Sequence, residues 1–522
     1  MHGMAWEKAY EELEARRAAA REMGGAQRVA RQHELTKMTV RERIDRLADP
    51  GTLREFGQLT GKGKYDEHGN LLSFMASNAV TGSVRIDGRK VIVSGDDYTI
   101  GAGSSEATVS DKWVYAERMA QQLRMPIVRM VDTAGGSVRL IEQQQSTKIP
   151  GYPQWPVIPL LGTVPVVGIA VGACAGLGAV KVCASHFSVI VENIAQVFAA
   201  GPPVVRQGLN LDLTKDELGG ARMSARAGSV SNMAASEEEA FAQVRRFLSY
   251  LPRNVWQAPP VVPTDDDPWR ADEALDSIIP EDRRKPYHPR KMLDIIFDRG
   301  SVFEMGKLFG GSTLTCFARL DGYPVGVMAN DPFVQGGAMT AQAARKIERF
   351  VDLCDTFHLP VVNFTDQPGL MIGPDAEAAG TVPLAYRAAG AIEQAAVPWI
   401  SIIVRRAFGV GGGLHGPKYG ETGQSLNLRY AWPSALWGSI PVEGGVAAAY
   451  KREIEAADDP LARRGELEDY YRKLASPFRT AEKFGVVDIV KPSETRAILC
   501  DWVEDAYELV RSQLGPRQRM MR

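Results

Sequence analysis

Three separated stretches of this chain recur in its second half at spacings that agree to within one residue. Asp87-Gly88, in Val84-Arg85-Ile86-Asp87-Gly88-Arg89, matches Asp321-Gly322, in Ala318-Arg319-Leu320-Asp321-Gly322-Tyr323, an offset of 321 − 87 = 234. Met125-Pro126-Ile127-Val128 leads to Asp132, as Leu359-Pro360-Val361-Val362 leads to Asp366, and 366 − 132 is again 234. The strand starts Val164-Pro165 and Val397-Pro398 differ by 397 − 164 = 233. One register across three segments marks a duplication, and two copies of so long a unit make twin domains rather than a solenoid. Whatever one half folds into, the other must fold into as well.

Each copy also carries an apolar strand that runs into glycine. The first is Val164–Val171 followed by Gly172-Ala173-Cys174-Ala175-Gly176-Leu177-Gly178; the second is Val397–Val404 followed by Phe408-Gly409-Val410-Gly411-Gly412-Gly413. Glycine lets the backbone approach a ligand, and amides exposed where a turn enters a helix can hold a developing oxyanion. Two such turns predict two carbonyl oxygens to stabilise. Two other readings of the turns are close packing without a ligand and dinucleotide binding, since Gly411-Gly412-Gly413-Leu414-His415-Gly416 fits Gly-x-Gly-x-x-Gly. The dinucleotide fingerprint also wants an acid about 20 positions on. Leu428–Ser434 has none, and the first turn lacks the fingerprint, so nucleotide binding does not explain the repeat.

A chain of 522 residues exceeds one ordinary core and suits two large ones. Its 45% hydrophobic and 24% charged residues are those of a globular protein, and a net charge of −2 gives no electrostatic case for nucleic acid or a membrane surface. No apolar run is long enough to span a bilayer, and the start lacks a signal-peptide core, so a cytoplasmic protein is expected. The five cysteines (Cys174, Cys183, Cys316, Cys354 and Cys500) form no Cys-x-x-Cys pair. They are expected to be reduced core residues, with no metal site.

Residues 6–32 read as an exposed or docking helix interrupted at Gly24-Gly25, and Thr39-Val40-Arg41-Glu42 has capping-box spacing. Each half then alternates in a βαβ-like way, with strands such as Val91-Ile92-Val93 and Val325-Gly326-Val327. Between the halves, residues 258–268 combine prolines with three adjacent aspartates, which marks a linker and places the domains at 1–263 and 264–522.

Further segments resemble the carboxyltransferase (beta) subunits of biotin-dependent acyl-CoA carboxylases, of the propionyl-CoA and methylcrotonyl-CoA type. They are Lys37-Met38-Thr39-Val40-Arg41-Glu42-Arg43-Ile44, Gly201-Pro202-Pro203-Val204-Val205, Glu217-Leu218-Gly219-Gly220-Ala221, Tyr430-Ala431-Trp432-Pro433, Ser476-Pro477-Phe478 and Gly485–Arg496. Each is modest alone; their order and full-length spread carry the resemblance. It implies an α/β fold of two tandem crotonase-like (ClpP/crotonase) domains, each a superhelix of ββα units, related by internal duplication. It further implies a homo-hexamer, a dimer of trimers, with each active site between the N-terminal half of one subunit and the C-terminal half of another. The substrate implied is a coenzyme A thioester, and the cofactor is biotin, brought as carboxybiotin on a separate carrier with a biotin carboxylase as partner. The Ala-Met-Lys-Met biotinylation tetrapeptide is absent here.

By the same resemblance the amides of Gly176 and Leu177 hold the thioester oxygen as the enolate forms, and those of Val410 and Gly411 hold the ureido oxygen of carboxybiotin. Gly135, Gly136, Gly413 and His415 are the expected substrate-binding residues. Three stretches depart from the family. Cys174-Ala175-Gly176-Leu177-Gly178-Ala179 stands for Cys-Ala-Gly-Gly-Ala, and Ala134-Gly135-Gly136-Ser137-Val138-Arg139 stands for Ser-Gly-Gly-Ala-Arg-Ile. Gly413 stands where short-chain relatives carry an Asp that selects the substrate, which implies a roomier acyl pocket.

Other polar residues near the turns are open to two readings each. Asp132 and Asp366 either act in catalysis or cap their turns; His415 either contacts substrate or is a solvated loop residue. Lys181 and Arg405-Arg406 either meet CoA phosphates or are surface charges. The scaffold also suits a decarboxylase that runs the transfer in reverse, or a non-catalytic assembly subunit. A tandem hydratase is disfavoured, because no paired Glu positions flank the turns.

Overall fold

The computed structural model describes residues 6–147, 149, 151–417 and 428–518, so the start of the chain read above for a signal peptide lies partly outside it. The chain forms two compact units, Met1–Ser249 and Tyr250–Arg522. That division falls 263 − 249 = 14 residues before the boundary expected from the proline-rich stretch. The reason is local: the Tyr250 hydroxyl bonds to Ser301 O, the Val262 amide donates to Gly322 O at 3.2 Å, and Asp266 pairs with Arg270 at 2.7 Å. Residues 250–268 therefore pack within the second unit.

In the first unit the strands are β1 (Arg54–Phe56), β2 (Gly61–Tyr65), β3 (Leu71–Ala76), β4 (Ala79–Ile86), β5 (Arg89–Asp96), β6 (Ile127–Thr133), β7 (Val166–Ala175), β8 (Phe187–Val191), β9 (Gln196–Phe198) and β10 (Asn232–Ala234). In the second they are β11 (Phe303–Met305), β12 (Thr313–Leu320), β13 (Tyr323–Asn330), β14 (Val361–Gln367), β15 (Trp399–Phe408), β16 (Leu428–Ala431) and β17 (Leu436–Gly438). The main sheets run β1-β4-β5-β6-β7-β8-β10, with β9 on β7, and β11-β12-β13-β14-β15-β16, with β17 on β15. In both, an antiparallel hairpin opens a parallel run whose crossovers carry helices.

The duplication is visible in detail. Asp87 and Gly88 (φ 49° and 76°) and Asp321 and Gly322 (φ 47° and 80°) make the same hairpin turn, in which two positive φ values suit Asp-Gly. The register slips between Val131 and Thr133 in the β6·β7 pairing, and between Thr365 and Gln367 in β14·β15, positions 234 apart. The slips bracket two equivalent buried aspartates, Asp132 and Asp366.

Burial follows the strand pattern. β7 is buried along its whole length, as a parallel strand covered on both faces must be. Ala116 and Ala120 of the helix Ser110–Gln122 pack on Ile92, Ile127 and Val166. In the second unit, Leu499, Val503 and Tyr507 of the helix Thr495–Ser512 share a core with Val325, Val327 and Ile400. The capping box at Thr39 is formed and opens the helix Val40–Leu47, and the first stretch divides at Gly24-Gly25 into the helices Glu7–Arg21 and Ala26–Glu34. Four cysteines are buried as expected, but Cys183 is exposed at the end of a short helix. Among the described residues, no helix is long and apolar enough to cross a membrane.

Candidate functional site

Both glycine turns form, and both open a short helix: Leu177–Cys183 after β7, and Gly409–Gly413 after β15. The first turn depends on Gly176, whose φ of 57° and ψ of −115° lie where side chains are strongly disfavoured. Its counterpart, by the 233 offset, is Gly409, with φ 60°. Leu177 and Val410 are thus equivalent, and so are Gly178 and Gly411. The residues expected from the sequence were one step out of register between the two turns.

That step matters for the donors. The Gly176 amide is already engaged, donating to Phe198 O on β9 at 3.2 Å, so it is not available to an oxyanion in this conformation. Gly176 shapes the turn instead. The amides of Leu177, Gly178, Val410 and Gly411 have no acceptor among the described residues, as the opening amides of a helix have none within it. Val410 is 72% exposed at the turn, whereas Gly411 is buried.

A second glycine turn lies against each of the first. Gly135 (φ 84°) sits so close to β7 that a Cβ there would be 3.1 Å from Ala175 O. Its amide donates to Thr133 Oγ1 at 3.0 Å and its carbonyl accepts from the Ser105 amide at 3.0 Å, leaving the Gly136 amide without an acceptor among the described residues. The second unit repeats this with Gly369: its amide donates to Gln367 Oε1 at 3.0 Å, its carbonyl accepts from the Met339 amide at 3.0 Å, and the Leu370 amide is left over. A Cβ on Gly411 would stand 3.2 Å from Leu370 N, so glycine there keeps that amide clear. Leu370 was not singled out in the sequence, although Gly136 displaced by 234 finds it.

Among the described residues a Cβ on Gly136 or Gly413 meets nothing within 4 Å, and neither has the left-handed φ that would demand glycine. His415 is buried, not a solvated loop residue, with Nδ1 2.5 Å from Gly412 O. It lines a small cavity behind Gly411 with Thr313, Asn363, Thr365 and Gln367.

The two aspartates neither cap their turns nor face outward; Thr133 and Gln367 take the capping role. Asp132 is fully buried beneath the first turn and bonds Lys37 Nζ at 3.0 Å and Arg43 Nη1 at 3.2 Å, while Arg43 also bonds Glu237 at 2.7 Å. Burial pushes the Glu237 carboxyl upward, against the opposing pull of Arg43. Gly172 makes room for this cluster, since a Cβ there would lie 1.9 Å from Asp132 Oδ1. At the equivalent position the second unit has Arg405, which itself pairs with Asp366 at 2.8 Å, and Arg406 pairs with the same carboxylate at 2.6 Å. Lys181 lies 3.7 Å from Asp96 and over the Trp113 ring. These charges are committed to holding the turns, and removing one partner of such a buried pair typically costs about 3–5 kcal/mol.

Known proteins are similar to this chain along nearly its whole length. The family described as carboxyl transferase domain matches residues 31–520. The chain is 34% identical over 495 residues to the propionyl-CoA carboxylase carboxyltransferase subunit of Haloferax mediterranei, covering 94% of this chain and 95% of that one. It is 32% identical over 479 residues to the methylmalonyl-CoA decarboxylase subunit alpha of Veillonella parvula, covering 91% of each. The transcarboxylase 12S structure, a hexamer with methylmalonyl-coenzyme A and methylmalonic acid bound, superposes with a TM-score of 0.86 at 28% identity, covering 100% of this chain and 98% of that one.

Proposed function

This chain belongs to the carboxyl transferase domain family, and we propose that it is the carboxyltransferase subunit of a biotin-dependent acyl-CoA carboxylase, moving a carboxyl group from carboxybiotin to the α (or vinylogous γ) carbon of an acyl-CoA. The observation that carries the reading is the pair of equivalent turns, each with amides on a helix start and on the neighbouring glycine turn that have no acceptor among the described residues.

Transfer passes through two oxygen anions. One is the thioester oxygen of the acyl-CoA as its α-proton leaves; the other is the ureido oxygen of biotin as CO₂ departs. In our reading the first unit serves the acyl-CoA: Leu177 donates to the enolate oxygen, Gly136 completes the pair, and Gly176 holds the turn that aims Leu177. The second unit serves biotin through Val410, with Leu370 beside it and Gly411 keeping the approach open. Preorganised amides suit this task because they need no reorganisation as charge develops, and losing one such donor typically costs about 3–4 kcal/mol. Carboxybiotin, when bound, would supply both the CO₂ and the base for the α-proton, so the chain itself needs no strong acid or base. Gly413, whose Cβ position has no described atom within 4 Å, would in this reading leave the acyl pocket wider than a side chain would.

The carrier and the biotin carboxylase are separate proteins in this reading, and the subunit assembles as a hexamer, the state named for the 12S relative. A decarboxylase running the same steps in reverse is the second reading, favoured by the Veillonella relative. Reconstitution with a biotin carboxylase and a biotinylated carrier tests both: ATP- and bicarbonate-dependent carboxylation of an acyl-CoA supports the first. Loss of carboxyl from a malonyl-type CoA to biotin, with no forward reaction, supports the second.

A further inference from the structure

The amide ends of the two short helices carry the proposed donors of their own units, but what fixes them lies at their carbonyl ends. A helix of seven residues, or five, has too few internal bonds to hold its own direction. In the first unit a single buried side chain supplies the anchor. Arg129, on β6, is 1% exposed and donates through Nη1 to Lys181 O at 3.1 Å and Ala184 O at 2.6 Å, carbonyls at the end of the helix Leu177–Cys183. Its other nitrogens are held by Glu117 in a two-point pair at 2.7 Å each. A cation at this end also suits the helix dipole.

The residue 234 positions on is Asn363, on β14. It donates through Nδ2 to His415 O at 3.0 Å, just past the helix Gly409–Gly413. The same carbonyl accepts from Trp399 Nε1 at 2.8 Å and Ser401 Oγ at 2.5 Å, so three neutral donors converge where the first unit uses one guanidinium. The two repeats have kept the anchoring position and changed its chemistry. We propose that Arg129 and Asn363 are positioning residues, Arg129 setting the Leu177 amide for the acyl-CoA half of the reaction and Asn363 setting the Val410 amide for the biotin half. This rests on the carboxyltransferase reading above.

The test uses the full chain reconstituted with its biotin carboxylase and carrier, with two readouts: carboxyl transfer to acyl-CoA, and decarboxylation of carboxybiotin without acyl-CoA. Replacing Arg129 and Glu117 together by Leu leaves no lone buried charge. That variant is expected to lose ~10–100-fold in transfer kcat, the scale of a sub-ångström to 1 Å misplacement. Its KM for acyl-CoA and its carboxybiotin decarboxylation should stay within about twofold of the parent, as expected when only transition-state contacts are lost. The pair Arg129→Gln with Glu117→Gln, which keeps an N–H for the carbonyls, should restore part of the loss. Asn363→Ala should instead slow decarboxylation of carboxybiotin, and this uncharged change decides the matter if the Leu pair fails to fold. Equal loss in both readouts, a change in KM alone, or full activity in folded variants overturns the proposal. A parent complex that transfers no carboxyl group overturns the functional reading itself.

Discussion

Leu177 and Val410 are the same residue of two repeats: each follows a glycine with φ near 60° and is the first or second residue of a short helix, and neither amide has an acceptor among the described residues. The side chains differ, while the glycine before each has the same left-handed φ. In the proposed function the position is asked only for an N–H, which leucine supplies as well as glycine does.

In the proposed function Gly413 sets the width of the acyl pocket. With no described atom within 4 Å of its Cβ position and no left-handed φ, Gly413→Ala should leave folding and activity nearly intact. Gly413→Asp should lower kcat/KM for an acyl group bulkier than propionyl more than for propionyl or acetyl, by roughly 10–200-fold. An acyl-CoA panel checks this. A uniform loss with Ala would mean that the position shapes the backbone rather than the pocket.

Partner dependence is the second expectation. The chain alone should give no streptavidin signal at its mass and no turnover with ATP, bicarbonate and acyl-CoA until carboxylase and carrier are added. A biotinylated band in the purified chain would contradict it.

A third prediction concerns acid stability. His358 is fully buried with Nε2 2.7 Å from Val255 O, and burial lowers its pKa from 6.5 to about 4. Between those values the unfolded chain binds more protons than the folded one, so stability rises with pH through this window and is lost as pH falls from 6.5 toward 4. The contribution is at most roughly 3–4 kcal/mol. His358→Gln should flatten the pH dependence of the urea midpoint between those limits; an unchanged slope would show that other groups carry it.

Much of this was legible in the sequence because the duplication repeats local signals. The Asp-Gly hairpins, the two glycine turns and the Thr39 capping box are set by residues close in the chain, and all form. What escaped depends on distant partners. Whether the Gly176 amide is free is decided by Phe198 O, and Asp132 is claimed by Lys37 and Arg43, some 90 residues earlier, rather than by its own turn. Leu370 carries no chemical signature, because its N–H is common to every residue but proline. The proline-rich stretch looked like a linker on composition, but its backbone bonds to the Asp321-Gly322 hairpin.

The division of labour between the turns is the claim most open to direct measurement. Proline at Leu177 or Val410 deletes the amide donor, and the opening residues of a helix tolerate it, especially after a glycine. In the reconstituted complex, Leu177→Pro should reduce α-proton exchange of the acyl-CoA by about 10²–10³-fold while sparing decarboxylation of carboxybiotin, and Val410→Pro should do the reverse. Selective loss in each variant is the predicted result. Equal loss of both partial reactions in both folded variants would contradict the assignment of one oxyanion to each repeat.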